Sequence, residues 1–209
     1  MKKLLSSERI KAKALRLGFS ACGLAPAEAV DETVATAFRQ WLADGCQAEM
    51  AYMQNYEDKR LDPRLLVEGA RTVISVALNY YPATKIPENE YQIAWYAYGK
   101  DYHDVMKGKL KELFEFIEKE VSFSKETDST IASTNNIGTY TENYASAPQA
   151  PVSQTSASPL QGRIFCDTAP ILERYWAWRT GLGWIGKNTH LIIPHAGSCF
   201  FLGEIILDR

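Results

Sequence analysis

Asp167 is the residue of this chain best placed to do acid chemistry. It follows Cys166 and begins the run Asp-Thr-Ala-Pro-Ile-Leu-Glu-Arg, which ends at Arg174. A carboxylic acid at that position can hand a proton to a departing oxygen. For that, apolar cover must favour its neutral form against the dipole of the expected helix, which favours the charged one. The plainer use of an aspartate before Thr-Ala-Pro is as a helix N-cap. Downstream, Gly181-Leu-Gly-Trp-Ile-Gly186-Lys187-Asn188 matches the dinucleotide fingerprint and nearly matches a phosphate loop. Both need a strand before the loop and a helix after it, so that the helix N-terminus meets the phosphates. Here the order is reversed, and Asn188 stands where a Ser or Thr would hold magnesium. The run therefore reads as a glycine-permitted turn, either lying close to a ligand or purely structural.

Two further clusters carry polar chemistry. Gly99-Lys100-Asp101-Tyr102-His103 follows Trp95-Tyr-Ala-Tyr98. Aromatics beside a lysine, an aspartate and a histidine can line a flat ligand and bind its polar edges. The alternative is a polar turn in which Asp101 or Asp104 caps the next helix. Lys59-Arg60-Leu-Asp-Pro-Arg64 is a small basic turn, open to anion binding or to plain solvation. The four cysteines, Cys22, Cys46, Cys166 and Cys199, are never spaced as Cys-x-x-Cys and have no histidine set beside them. They read as small buried thiols in a reducing compartment, with no metal site expected.

These residues must be positioned by a chain of 209 residues, 46% hydrophobic and 23% charged, which fits one domain with its own core. A net charge of −2 argues against a broad basic field for nucleic acid, though a local patch gripping one RNA loop is compatible with it. No apolar run approaches the roughly 18 residues a membrane span needs. The N-terminus has no apolar signal region, so a cytoplasmic protein is expected.

Helical spacing predicts helices over Ser6–Leu17 and after Asp31, where Val34, Phe38, Trp41 and Leu42 share a face. A long helix is predicted from about Asp104 to Val121, and another from Thr168 to Arg179, stopped by Gly181. Strands are predicted at Ala21–Leu24, Thr72–Leu78, Arg163–Cys166, Leu191–Ile193 and Phe200–Leu207. The last two are joined by the turn beginning at His195. Thr72–Leu78 is apolar throughout, as a central strand covered on both faces would be. Residues 122–160 are dominated by Ser, Thr, Asn, Gln, Ala and Pro, and read as a mobile insertion. The class is α/β in broad terms.

Taken in order, Arg60 in Lys-Arg-Leu-Asp-Pro-Arg, the Tyr98–His103 turn, Asp167-Thr-Ala-Pro with Glu173-Arg174, and Gly181–Asn188 resemble the epoxyqueuosine reductase family. The resemblance covers nearly the whole chain outside 122–160. It implies an α/β (α+β) domain, nitroreductase-like and reductive-dehalogenase-like, with a mixed sheet flanked by helices, binding cobalamin in its base-off form. The implied reaction converts epoxyqueuosine to queuosine in the anticodon loop of a tRNA, with the redox chemistry at cobalt. Asp167 would be the proton donor. Arg60, Ala94 and the backbone around Leu191 and Leu202 would contact the cofactor, together with Tyr98, Lys100, His103, Lys187 and Asn188. Ala94 departs from the residue the family often carries there. The family's two 4Fe–4S clusters would have no ligands in this chain. The expectation is therefore a truncated or split reductase that draws electrons from a separate iron–sulfur polypeptide. The alternatives are a non-catalytic cobalamin-binding fragment and a flavin- or nucleotide-dependent oxidoreductase.

Overall fold

The structure, a computed structural model, describes residues 6–134 and 159–209, with side chains of 123–134 left aside. Its organising strand is β2 (Thr72–Asn79). Val73, Ser75 and Ala77 face one side of the sheet, Ile74 and Val76 the other, and all five are fully buried. Such a strand needs cover on both faces. It lies between β1 (Ala21–Pro26) and β6 (Phe200–Leu207), with β3 (Gly162–Phe165) beyond β6, in the order β1-β2-β6-β3.

Every pairing in this sheet is antiparallel. The expected mixed sheet is thus corrected to an antiparallel one. Each strand enters at the end of the sheet where its neighbour leaves, so the intervening helices do not serve as parallel crossovers.

The helices α1 (Ser7–Arg16) and α4 (Tyr102–Thr134) cover one face, where Ile10, Ala14, Met106, Leu110, Leu113 and Ile117 meet Ile74, Val76 and Ile205. Burying each such aliphatic side chain contributes about 1.5–3 kcal/mol. The other face is covered by α2 (Glu32–Ala43), α3 (Glu57–Leu61) and α5 (Glu173–Arg179). There Ala35, Leu61, Tyr175 and Trp176 pack on Val73 and Ile206. Gly23 brings the end of α5 onto β1: a Cβ at that position would stand 2.2 Å from the Thr180 carbonyl oxygen. The entrance of α2 is tied to α5 by the Asp31 N–H, which donates to the Tyr175 hydroxyl at 3.2 Å.

Three expectations change. Helix α5 begins at Glu173 and its N-cap position is Leu172, so Asp167 does not cap it. Asp167 has φ +57°, and Pro170 keeps Ala169 out of helical geometry. Second, Leu191–Ile192 forms β5, which pairs with an unexpected short strand, β4 (Trp184–Ile185), in a separate two-stranded sheet. Third, α4 continues to Thr134 through the start of the expected insertion; residues 135–158 lie outside the described residues. No helix among the described residues is long and apolar enough to cross a membrane.

Candidate active site

The sheet face under α5 leads outward to an open hollow of about 910 Å³, bounded by α2, α3 and the segment 167–175. Ligand pockets of roughly 300–1,000 Å³ hold drug-sized molecules, so this one is at the large end. Phe38 and Trp41 form part of its wall, their rings stacked at 6.1 Å and 19°. Tyr52 and Tyr56 stand opposite, each more than half exposed. Arg60 also lines the hollow but is only 8% exposed. Its Nη2 donates to the Tyr52 carbonyl at 3.1 Å, while Nε has no partner. Burial lowers its pKa. A guanidinium lining the hollow beside apolar rings suits an anionic group on a bulky ligand.

Asp167 stands on the same wall, at the end of β3. Its left-handed backbone is tolerated by aspartate better than by most residues. Tyr102, at the start of α4, donates its hydroxyl hydrogen to Oδ2 of Asp167. The Tyr102 ring is itself held between Phe201 (4.1 Å, 5°) and His103 (4.0 Å, 30°). His103 Nδ1 lies 2.8 Å from Asp101 Oδ1, and its Nε2 is 3.8 Å from Asp167 Oδ2. Asp101 also accepts from the His103 N–H at 2.9 Å, so it caps α4 while orienting the imidazole. Burial, and then the bond to Asp167, push the Tyr102 phenol upward, which keeps it a donor. The cover expected around Asp167 is not supplied by the chain: its side chain is 58% exposed to the hollow.

Behind Asp167 sits a second acid. Glu173, in the first turn of α5, accepts the Asp167 backbone N–H through Oε1. Burial, and then the charge of Asp167, push its carboxyl up to about 7, against the lowering effect of that hydrogen bond. Burial also drives the adjacent Cys166 thiol up to about 12, which removes it as a nucleophile near neutral pH.

The other expected site residues divide. His103 joins Asp167, and Arg60 shares its hollow. Ala94, Tyr98 and Lys100 do not line that hollow. The Tyr98 hydroxyl accepts from the Ile86 N–H at 3.4 Å, and Lys85 lies over the Trp95 ring at 4.7 Å, so this loop packs largely on itself. Lys187 and Asn188 are exposed. The glycines before them serve the chain's own hairpin: a Cβ on Gly183 would come within 2.0 Å of the Ile192 carbonyl oxygen. The Leu191 side chain is core, packed with Ala77, Ala177 and Leu182, and Leu202 lies against that cluster. In the main chain Leu202 pairs with Ala77 of β2, while the β3 pairing ends at Glu204 and does not reach Leu202. Cys46 is exposed, against the expectation of buried thiols, because it lies beyond the end of α2. Among the described residues no group of three or more His, Cys, Asp or Glu could hold a metal ion.

Sequence reasoning did not single out Tyr102 and Glu173 as hydrogen-bond partners of Asp167, though both lay inside quoted motifs. It placed Phe38 and Trp41 on one helical face without assigning that face to a ligand. A six-residue offset from Asp167 to Glu173 brings the two together only because the intervening segment is not helical.

With this geometry in place, the comparisons with known proteins fall in one direction. Residues 60–130 match the family described as "Epoxyqueuosine reductase QueG, DUF1730". The epoxyqueuosine reductase of Cellulophaga algicola is 42% identical over 202 residues, which are 97% of this chain and 54% of that protein. This chain belongs to the epoxyqueuosine reductase family. It spans about half the length of the curated epoxyqueuosine reductases it matches. The epoxyqueuosine reductase of Streptococcus thermophilus superposes with a TM-score of 0.70 at 25% identity, over 97% of this chain and 45% of that one. Another epoxyqueuosine reductase, solved with an epoxyqueuosine-modified stem loop of tRNA-Tyr, shares the fold at a TM-score of 0.68 and 22% identity. That match covers 96% of this chain and 44% of the other.

Proposed function

We propose that this chain takes part in reducing epoxyqueuosine to queuosine in a tRNA anticodon loop, with base-off cobalamin in the hollow and Asp167 as the proton donor. The observation that carries this reading is the setting of Asp167: it borders a large apolar-walled hollow, and Tyr102 and Glu173 hold it from two sides.

The residues present fit a corrin. Phe38 and Trp41 offer a flat apolar wall, and the Arg60 guanidinium, which lines the same hollow, suits an anionic group on the cofactor's nucleotide tail. When bound, cobalamin supplies the redox chemistry at the substrate carbon. The chain's own part is to orient the substrate, keep water from the reacting oxygen and deliver one proton. Tyr102 fixes Oδ2, and among the described residues Oδ1 takes no hydrogen bond, so it is free to carry the proton. As the carbon–oxygen bond breaks, the Asp167 O–H passes its hydrogen to the developing alkoxide and becomes a carboxylate. A positioned acid of this kind is worth about 10²–10⁴ in rate.

At the rim, the exposed rings of Tyr52 and Tyr56, with Lys59 over Tyr56 at 4.9 Å, suit stacking against an unpaired RNA base and pairing with its phosphate. The antiparallel sheet with helices on both faces agrees with a nitroreductase-like cobalamin domain. A tRNA substrate puts the reaction in the cytoplasm. Electrons would come from 4Fe–4S clusters outside the described residues, on a separate polypeptide or on another part of the protein.

The test is to incubate the chain with cobalamin, a strong chemical reductant and an RNA stem loop carrying epoxyqueuosine, and to measure queuosine by nucleoside mass spectrometry. Product that falls about 10²–10⁴-fold in Asp167→Asn is expected. Equal product from wild type and Asp167→Asn would overturn the assignment of the donor.

A further inference from the structure

Turning an epoxide into a carbon–carbon double bond sends its oxygen out as water. That balance takes two electrons and two protons. One proton goes on as the ring opens to an alcohol, and the second as the hydroxyl departs. The electrons come from the reduced cofactor. Asp167 carries one proton, and corrin and RNA filling the hollow close its front to water. A second proton needs another way in.

Beside Asp167, and outside the lining of the hollow, stands His103 in the first turn of α4. Its Nε2 is 3.8 Å from Oδ2 of Asp167. That is about 1 Å beyond a hydrogen bond, a gap that a small turn of either side chain closes. The other ring nitrogen, Nδ1, is 2.8 Å from Oδ1 of Asp101. Asp101 also accepts the His103 backbone N–H at 2.9 Å, and these bonds hold its carboxyl below the usual carboxylate range. A carboxylate only accepts, so Nδ1 carries a hydrogen, and Nε2 is the nitrogen that gains and loses one towards Asp167. The ring is stacked on Tyr102, whose hydroxyl binds the same Oδ2. Glu173 of α5 also faces His103, and Lys107 faces Asp101. With side chains 31% and 61% exposed, His103 and Asp101 connect Asp167 to solvent.

We propose that His103, oriented by Asp101, is the proton relay that recharges Asp167 between the two halves of the reaction, while the substrate stays bound. The proposal rests on Asp167 being the proton donor in epoxyqueuosine reduction. After Asp167 has given its first hydrogen away, the His103 Nε2–H passes one to Oδ2. The imidazole is left neutral, with its Nδ1 hydrogen still on Asp101. A half-turn of the carboxyl about Cβ–Cγ, a soft torsion in aspartate, presents the new hydrogen to the departing hydroxyl. Solvent then restores His103. Only protons move in these steps.

Two measurements test it. The first uses the chain labelled with nitrogen-15 histidine, with neither corrin nor RNA, and reads the tautomer by NMR at a pH where the ring is neutral. His103 should be the Nδ1–H form, and Asp101→Ala should convert it to the Nε2–H form. An Nε2–H ring in wild type would overturn the proposal. The second is the single-turnover rate of queuosine formation in an RNA stem loop carrying epoxyqueuosine, with cobalamin and a chemical reductant. His103→Ala and His103→Gln should both be slowed about 10²-fold. Added imidazole should restore His103→Ala alone, because only that variant leaves room for the ring. A wild-type rate in either variant, or a loss in His103→Ala that imidazole does not touch, would overturn the relay. Asp167→Asn should be slow with or without imidazole. A wild-type rate there would instead overturn the donor assignment beneath the relay.

Discussion

Tyr102 donates a hydrogen bond to Asp167 across the end of the sheet, joining the first turn of α4 to the second residue beyond β3. The ring that carries the donor is stacked on Phe201, so the position of the Asp167 carboxyl is set by the core on the α4 face.

Removing that hydroxyl tests positioning apart from acidity. Tyr102→Phe keeps the stacked ring and should cost stability only about 1 kcal/mol. Turnover should fall about tenfold while cobalamin affinity stays unchanged. Urea denaturation and product assays on the same preparation check both halves.

Arg60→Met removes the buried cation while keeping an unbranched side chain in the wall. Cobalamin binding should weaken by about 10–100-fold, the equivalent of one or two hydrogen bonds to a charged group. Titration of bound cofactor by absorbance gives the number. Lys187→Met, at the exposed hairpin, should leave that affinity unchanged.

Glu173 links stability to pH. Its folded-state value is raised from 4.5 to about 7, so the folded chain holds this proton more tightly than the unfolded one. That contribution is fully present below about pH 4.5 and is lost as pH rises through about 7. Glu173→Gln stays neutral throughout. Relative to it, wild type should lose about 2–3 kcal/mol between pH 4.5 and 7, as read from urea midpoints.

Gly183→Ala should destabilise the chain by about 1–3 kcal/mol, because the new methyl meets the Ile192 backbone, which cannot move without opening the β4–β5 pair. Chemical denaturation measures it. A stable Gly183→Ala with lost cofactor binding would instead return this glycine to a ligand-contact role.

The parts of the fold that follow local rules were legible in the sequence. The apolar run Thr72–Leu78 gave β2, the helical spacing from Val105 to Val121 gave the buried face of α4, and the reversed order around Gly181–Asn188 excluded a phosphate loop. What depends on three-dimensional placement was not. Phe38 and Trp41 have the spacing of core residues, and only the neighbouring segment decides that their outer faces border a hollow. Glu204 lies in an apolar run that reads as an ordinary strand, and nothing in its spacing says that it is buried without a partner. Asp167 was singled out through its motif. Its left-handed backbone, and the helix start at Glu173 instead of Thr168, follow from contacts with Tyr102 and Glu173 that no local pattern encodes.

The account turns on whether the hollow between α2, α3 and Asp167 takes a corrin. The direct measurement is an absorbance titration of the chain with cob(II)alamin, repeated on Arg60→Met and on Phe38→Ala. The account predicts a saturable change to a base-off spectrum in wild type that weakens in both variants. A spectrum that stays base-on at every protein concentration, or a change that both variants reproduce in full, would contradict it.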